Sequence, residues 1–434
     1  MTTTSSAVTA RRTVLGASAG NVVEWFDFLL YGLSATTIAM TFFPGENPSD
    51  GLLATFAVYA VAFAARPLGA IVFGRIGDRF GRRRALTASI LIMGASTAAI
   101  GLLPSHESVG ALAPALLLLC RLVQGFSAGG EFAGALTFAM EHLPGRRGFW
   151  MGVVASSTWI GSVLATLTLL LLHYAGAGAN GWRYGFVAGG VLSLVGLVIR
   201  ARLAETPTFT EMKETGEVSK TPLRDALRDT KRLAVVLVFF ALTSVLGHMA
   251  TGYLPTHLTK SVGLTPLRML WSMAALFAMI AVLAPLIGYL TDQHGRRPLM
   301  LASVAFGTVT VIPAYLLLDH GGTGGLWLAL ILFAIGTAGV VSAGAVCVPE
   351  LWPPHARYTG VGLTNQVGLA VFGGTAPLVS DWLVEVTGWS SSPSVYAVAV
   401  AIPAIVVLTM WLPETRPGAT PSTAAERKPK PSTA

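Results

Sequence analysis

The chain of 434 residues is 53% hydrophobic and only 12% charged, with a mean hydropathy of +0.65. Soluble domains carry about 25% charged residues, so this composition excludes a soluble globular domain and points to a polytopic membrane protein. The net charge of +8 does not signal nucleic acid, because the basic residues gather in loops on one side of the apolar segments.

Twelve apolar runs are long enough to cross a bilayer: 14–40, 52–74, 84–104, 111–141, 147–173, 183–202, 232–258, 268–291, 297–318, 323–350, 357–387 and 392–413. In lipid only a helix or a closed barrel satisfies every backbone group, and these runs are too long and too uniformly apolar for barrel strands. The expected fold is therefore all-α. Residues 1–202 and 232–413 form two six-helix bundles, joined by a polar cytoplasmic connector at 203–231 with room for a short amphipathic helix. The Pro/Ala/Thr/Lys-rich stretch 414–434 reads as a disordered tail. Most of the 29 basic residues, Arg200 and Arg202 among them, fall on the side that holds both ends of the chain. Positive-inside bias makes that side cytoplasmic and the protein a multi-pass resident of the plasma membrane. The first run is too long for a signal-peptide core and reads as a retained helix. Cys120 and Cys347 fall inside predicted helices and show no disulfide or metal-ligand spacing.

In chain order, the first helix places Gly20, Glu24, Asp27 and Tyr31 on one face, and the second carries Arg66. The fourth aligns Arg121, Gln124, Ala128 and Glu131 at helical spacing. Three carboxylates and two guanidiniums thus lie at lipid depth, where they must pair or face a watery cavity. At about 1.5 Å per residue, Glu24 and Glu131 lie roughly 15 Å from the cytoplasmic ends, Arg66 roughly 12 Å, Asp27 roughly 20 Å and Arg121 roughly 30 Å. Depth alone pairs Arg66 with Glu24 or Glu131. Gly125-x-x-x-Gly129 and Gly130-x-x-x-Gly134 permit close helix approach, chiefly as packing. Among the tryptophans, Trp25 reads as an interface anchor and Trp159 of the fifth helix as a pocket candidate. The second half has almost no charge at membrane depth. Its polar candidates are His248 and Tyr253 in the seventh helix, with Asn365 and Gln366 in the eleventh.

The halves repeat. "GRIGDRFGRRRAL" (74–86) is echoed by "GYLTDQHGRRPLM" (288–300), so Asp78, Gly81, Arg82 and Arg83 map onto Asp292, Gly295, Arg296 and Arg297 at an offset of 214. "EHLPGRR" is echoed by "ELWPPHAR", so Glu141 and Pro144 map onto Glu350 and Pro353 at an offset of 209. Parallel repeats of this kind are a transporter design, with the ligand site between the halves near the midplane.

These loop motifs and the six-plus-six layout resemble the major facilitator superfamily. "GNVVEWFDF…YG", "ARPLGAIVFGRIGDRFGRRRAL", "RLVQGFSAGGEFAGA" and "GWRYGF…LAETPTF" are together similar to its metabolite:proton symporters, which carry citrate, α-ketoglutarate, shikimate, proline and betaine. The resemblance covers roughly residues 14–413. It implies that Asp27 works beside Arg121, a pairing that can coexist with the one favoured by depth. It also implies a cytoplasmic gate built from Gly74, Asp78, Gly81, Arg82, Arg83, Glu141, Asp292, Gly295, Arg296, Arg297 and Glu350. There the acid bonds a helix N-terminus and stabilises the outward-open state. Exporters of this superfamily usually show a Gly-Pro motif in the fifth helix. Here that helix has no proline, which argues against a drug–proton antiporter.

The resulting expectation is a secondary transporter importing a small organic acid with protons by alternating access, a zwitterionic osmolyte such as proline or betaine being the alternative. Burial penalises a charged carboxylate and a nearby guanidinium favours it, so relative motion of the two binds or releases a proton. Asp27, Glu24 and Glu131 are the proton-coupling candidates. Arg121, Arg66, Gln124, Tyr31, Trp159, His248, Tyr253, Asn365 and Gln366 are the substrate-binding candidates. No nucleophile-and-base constellation suggests an enzyme. The expected partners are the small-molecule substrate, protons and lipid, with neither nucleic acid nor any cofactor or metal, and the expected functional unit is a monomer.

Overall fold

Backbone satisfaction in lipid and the apolar runs together require helices, and among the described residues every regular element is helical. The computed structural model describes residues 2–45, 48–143 and 145–416. Pro144 and the tail from 417, including Arg427, Lys428 and Lys430, lie outside the described residues, as do the side chains of Arg11 and Arg12.

Twelve spans result when the bent first pair counts as one. α1 comprises Thr2–Leu33 and Ala35–Phe42, bent by 69° at Ser34. α2 is Pro48–Phe80, α3 Arg82–Leu102, α4 Leu112–His142, α5 Arg147–Tyr174 and α6 Gly181–Ala201. α7 is Thr230–Lys260, α8 Pro266–His294, α9 Arg296–His320, α10 Gly322–Leu351, α11 Pro354–Thr387 and α12 Pro393–Trp411. Several are longer than the apolar runs that announce them. At about 1.5 Å per residue, α2 reaches about 50 Å and outruns a hydrocarbon core of about 30 Å.

The helices are also less regular than a hydrophobic run suggests. α4 is interrupted at Gly129–Gly130, while α7 and α11 each carry a π turn, at Met249–Tyr253 and Leu369–Gly373. Such turns are frequent at functional sites. Between Ala201 and Thr230 the chain forms two short helices, Pro207–Glu214 and Pro222–Leu227, where one was expected. Arg200, counted among the basic residues on the cytoplasmic side, is buried in the last turn of α6 at 1% exposure.

Two seams join the six-helix halves: α5 against α8, and α2 against α11. Both need small residues. A Cβ at Gly148 or Gly288 would overlap the other residue's carbonyl oxygen, and one at Gly77 would overlap the Tyr358 ring. Inside the first half, α4 presses its glycines onto the α2 backbone. A Cβ on Gly125 would overlap the Ala62 carbonyl oxygen, and one on Gly129 that of Arg66. No rotamer change relieves a clash with backbone. Gly129→Ala should therefore cost about 1–3 kcal/mol of stability, read as a lowered Tm in detergent. Gly32→Ala, which meets nothing within 4 Å, should leave the Tm unchanged.

Candidate functional site: a cavity between the two halves

The first-helix face splits between two environments. Glu24 opens onto a cavity enclosed by both halves, with an empty volume of about 760 Å³ including its opening to solvent. Arg66 of α2 lines the same cavity and donates from Nη1 to Glu24 Oε1 at 2.8 Å, both side chains being almost fully buried. Aromatic rings hold the guanidinium in place, with Phe28 at 4.1 Å and Phe63 at 5.0 Å from its carbon to the ring centroids. Glu24 Oε2 and Arg66 Nε have no hydrogen-bond partner. Trp25 and Trp159 stack at 6.5 Å on the cavity wall. The second half contributes His248, Asn365 and Gln366, together with Phe239 and Phe240. His248 donates from Nδ1 to the Ser244 carbonyl at 2.9 Å and packs against Trp25 and Phe63 at 6.0 and 5.5 Å. Gln366 anchors its amide nitrogen to the Gly129 carbonyl at 3.3 Å and leaves Oε1 without a partner.

One turn along α1, Asp27 does not line this cavity. It is sealed among α1, α3 and α4, where Arg121 Nη1 and Gln124 Nε2 each donate to it at 2.9 Å. Gln124 also donates to Thr97 and accepts from Arg121. The Tyr31 ring lies 3.6 Å beneath the guanidinium, and its hydroxyl donates to the Thr55 carbonyl. The depth count separated Asp27 from Arg121 by roughly 10 Å at 1.5 Å per residue, yet the two touch. The count took each helix as straight and measured it from the edge of an apolar run, whereas α1 begins at Thr2, well before its run, and α4 is broken at Gly129–Gly130, between Arg121 and the end it was counted from.

Glu131 is a third case, since it pairs with neither Arg66 nor the cavity. Arg200 of α6 grips both of its oxygens, one contact being Nη1 to Oε2 at 2.9 Å, and Ser89 donates to Oε2 at 2.6 Å. The remaining Arg200 hydrogens go to the carbonyls of Gly16, Ala17 and Leu86. Every polar atom of this pair is satisfied, so it has nothing left to offer a ligand. Tyr253 also lies off the cavity, packed with Val245, Met249 and Tyr315.

At the end of the bundle that bears the termini, the repeated loop motifs form two matched locks across the halves. Asp78 accepts from the Thr359 and Tyr358 N–H groups at 2.9 and 3.3 Å, capping the start of α11. Asp292 accepts from Gly148 and Phe149 at 2.9 and 3.0 Å, capping the start of α5. A carboxylate at a helix N-terminus meets unsatisfied donors and the positive end of the dipole. Arg82 braces the first lock through Glu141 at 3.1 Å and the Pro354 carbonyl at 2.6 Å, and Arg357 reaches Glu141 at 3.2 Å. Arg296 repeats this on Glu350 at 3.4 Å, with Arg147 at 3.8 Å. Gly74 allows the approach, since a Cβ there would come within 2.8 Å of the Thr359 Cα. Arg83 and Arg297 instead bond the Ala201 and Thr409 carbonyls of their own halves.

Two residues of this assembly were not anticipated. Glu205 accepts from the Arg82 and Arg83 N–H groups at 3.0 and 3.2 Å. Glu414 does the same for Arg296 and Arg297 at 2.9 and 3.1 Å. Each caps a helix entered through a glycine at positive φ, Gly81 at 117° and Gly295 at 100°. Against the cost of partial burial, the N–H donors of Arg296, Arg416 and Arg297 hold the Glu414 carboxyl below its ordinary range. The readable signal was a third echo: "LAET" at 203–206 and "LPET" at 412–415 repeat at the same offset of 209. On the cavity wall, Trp25, Phe132, Phe239 and Phe240 were also unforeseen, because an aromatic on an apolar helix looks the same facing lipid or facing a pocket.

A family model described as Major Facilitator Superfamily matches residues 22–368 and, in a second overlapping match, 245–434. The ectoine/proline transporter ProP of Corynebacterium glutamicum is 33% identical, over 89% of this chain and 81% of that one. The proline/betaine transporter of Escherichia coli K12 is also 33% identical, over 95% and 86%. Among solved structures, the proton:xylose symporter XylE bound to 6-bromo-6-deoxy-D-glucose superposes with a TM-score of 0.77, at 15% identity, over 94% of this chain and 97% of that one. That likeness is one of fold.

The saturated Glu131–Arg200 pair generates a stability prediction. Glu131→Ala leaves a buried guanidinium uncompensated and should cost about 3–5 kcal/mol, seen as a large fall in Tm. Glu131→Leu combined with Arg200→Met should recover most of that loss, and no recovery would mean the pair is more than a packing device.

Proposed function

The chain belongs to the major facilitator superfamily, and from that premise we propose that it takes up a zwitterionic osmolyte of the proline/betaine type together with a proton. The observation that carries this reading is the cavity's charge. It presents one carboxylate and one guanidinium 2.8 Å apart, each with an unpartnered polar atom, beside stacked tryptophan rings. Such a wall is neutral overall and suits a ligand with both signs of charge, its ammonium favoured by aromatic faces. The preference for organic acids rested on two cavity guanidiniums. Arg121 is sealed with Asp27, and Arg66 is already neutralised by Glu24. The named substrates of the relatives point the same way.

Proton coupling is assigned to Asp27. Its carboxylate accepts from Arg121 and Gln124, and Arg121 keeps Nε and Nη2 without partners. A shift of α1 against α4 during rocking lengthens the Asp27–Arg121 contact and lets the carboxylate take a proton. The guanidinium stays charged throughout. The end that bears the termini is taken as cytoplasmic, and the paired caps of Asp78 and Asp292 as its gate. Breaking them frees α5 and α11 to swing away from α8 and α2.

Purified protein in proteoliposomes should accumulate proline or glycine betaine when a pH gradient is imposed, and a protonophore should abolish the accumulation. Asp27→Asn should lose accumulation while keeping substrate exchange. Undiminished accumulation in that variant would remove Asp27 from the mechanism, and failure of both substrates would remove the osmolyte reading.

The gate makes a separate prediction. In a background of Cys120→Ser and Cys347→Ala, a Phe132→Cys reporter in the cavity should react slowly with an impermeant thiol reagent applied from the cytoplasmic side. Adding Asp292→Asn or Asp78→Asn removes one charge-assisted cap, worth about 1.5–3 kcal/mol, and should raise that rate at least several-fold. An unchanged rate would reduce these aspartates to topology signals.

A further inference from the structure

Glu24 occupies a position that pairing with Arg66 does not by itself explain. The pair uses only one oxygen and one nitrogen, Oε1 and Nη1, at 2.8 Å. Glu24 Oε2 and Arg66 Nε remain buried and unpartnered beside a cavity that both side chains line. The Phe28 and Phe63 rings, 5.1 Å apart, both pack against the guanidinium, and a ligand approaching Arg66 from the cavity comes in beside the Glu24 contact. Any anion arriving there also meets the Glu24 carboxylate in a site of low dielectric, where like charges repel strongly.

From this geometry we infer that Glu24 is the residue that selects zwitterions over simple anions, acting as a fixed counter-charge beside the carboxylate-binding edge of Arg66. The inference rests on the osmolyte reading and names the residue that sets its substrate class. A ligand carboxylate takes the open edge of Arg66, and the ligand ammonium sits near Glu24 Oε2, against Trp25 and Trp159. The four charges then alternate in sign. A plain carboxylate of the same shape gains the Arg66 contact but carries no cation to offset Glu24, and it is rejected. Selection by the repulsive element, rather than by extra attraction, is a general route to specificity.

The test uses ligands that differ only in charge. 3,3-Dimethylbutanoate is glycine betaine with carbon in place of nitrogen, and cyclopentanecarboxylate is the matching analogue of proline. Binding to purified protein is read by calorimetry or by the fluorescence of the cavity tryptophans, so a loss of transport does not hide the result. Wild type should prefer each zwitterion to its carbon analogue by about 30-fold or more, the ratio expected for a like-charge clash of a few kcal/mol. Glu24→Gln should invert that order, the carbon analogue now binding more tightly, while Glu24→Asp should keep the wild-type order. Arg66→Gln should gain affinity for choline, a cation without a carboxylate. Equal wild-type affinity for zwitterion and analogue would overturn the inference even if Glu24→Gln failed to fold. So would a Glu24→Gln variant that retains the wild-type ratio. If wild type binds neither glycine betaine nor proline, the osmolyte reading itself falls; if it binds them with a ratio that ignores Glu24, only the inference falls.

Discussion

The cost of burying a charge at lipid depth governs this structure. A lone guanidinium there is too expensive to keep, so each deep arginine of the first half has its own carboxylate: Arg66 with Glu24, Arg121 with Asp27, and Arg200 with Glu131. Pairing alone does not separate function from packing. What separates them is hydrogen-bonding capacity left over. Arg200 and Glu131 have spent all of theirs on each other and on backbone carbonyls. Arg121 is only partly satisfied, and the Glu24–Arg66 pair has an unused atom on each partner beside the cavity. The three pairs thus form a graded series in unused hydrogen-bonding capacity, and the proposed roles of strut, proton switch and ligand site follow that order.

The same economy appears at the paired loop motifs. Helix N-termini present unsatisfied donors, and four carboxylates exploit them. Glu205 and Glu414 cap helices of their own halves, while Asp78 and Asp292 reach across to the other half. The within-half caps fix the loops that carry the two aspartates, and the aspartates close the seam. Because each lock is a handful of charge-assisted bonds rather than a packed core, it can open and re-form without unfolding a helix.

Much of this was legible in the chain. Twelve spans, the six-plus-six repeat and the paired loop motifs follow from apolar run length and from echoes at fixed offset. The bend at Ser34, the break at Gly129–Gly130 and the π turns of α7 and α11 were not legible, since they leave hydropathy unchanged. The burial of Arg200 and its pairing with Glu131 were missed because a basic residue at the end of an apolar run looks like a topology charge, and only its three-dimensional neighbours reveal the partner. Helix spacing put Glu24 and Asp27 on one face, yet a face about 100° wide touches more than one neighbour. One carboxylate meets the cavity and the other the interior of its own half.

In the cavity, the first half supplies the Glu24–Arg66 pair, and the second supplies His248, Asn365 and aromatic walls. The central claim is that a ligand of zero net charge moves together with a proton, and charge balance tests it directly. A zwitterion carried with one proton moves one positive charge per cycle, whereas a monocarboxylate carried with one proton moves none. On a solid-supported membrane, a pulse of glycine betaine should give a sustained inward positive current that grows with the inward proton gradient. Uptake of glycine betaine with no accompanying current would contradict the account.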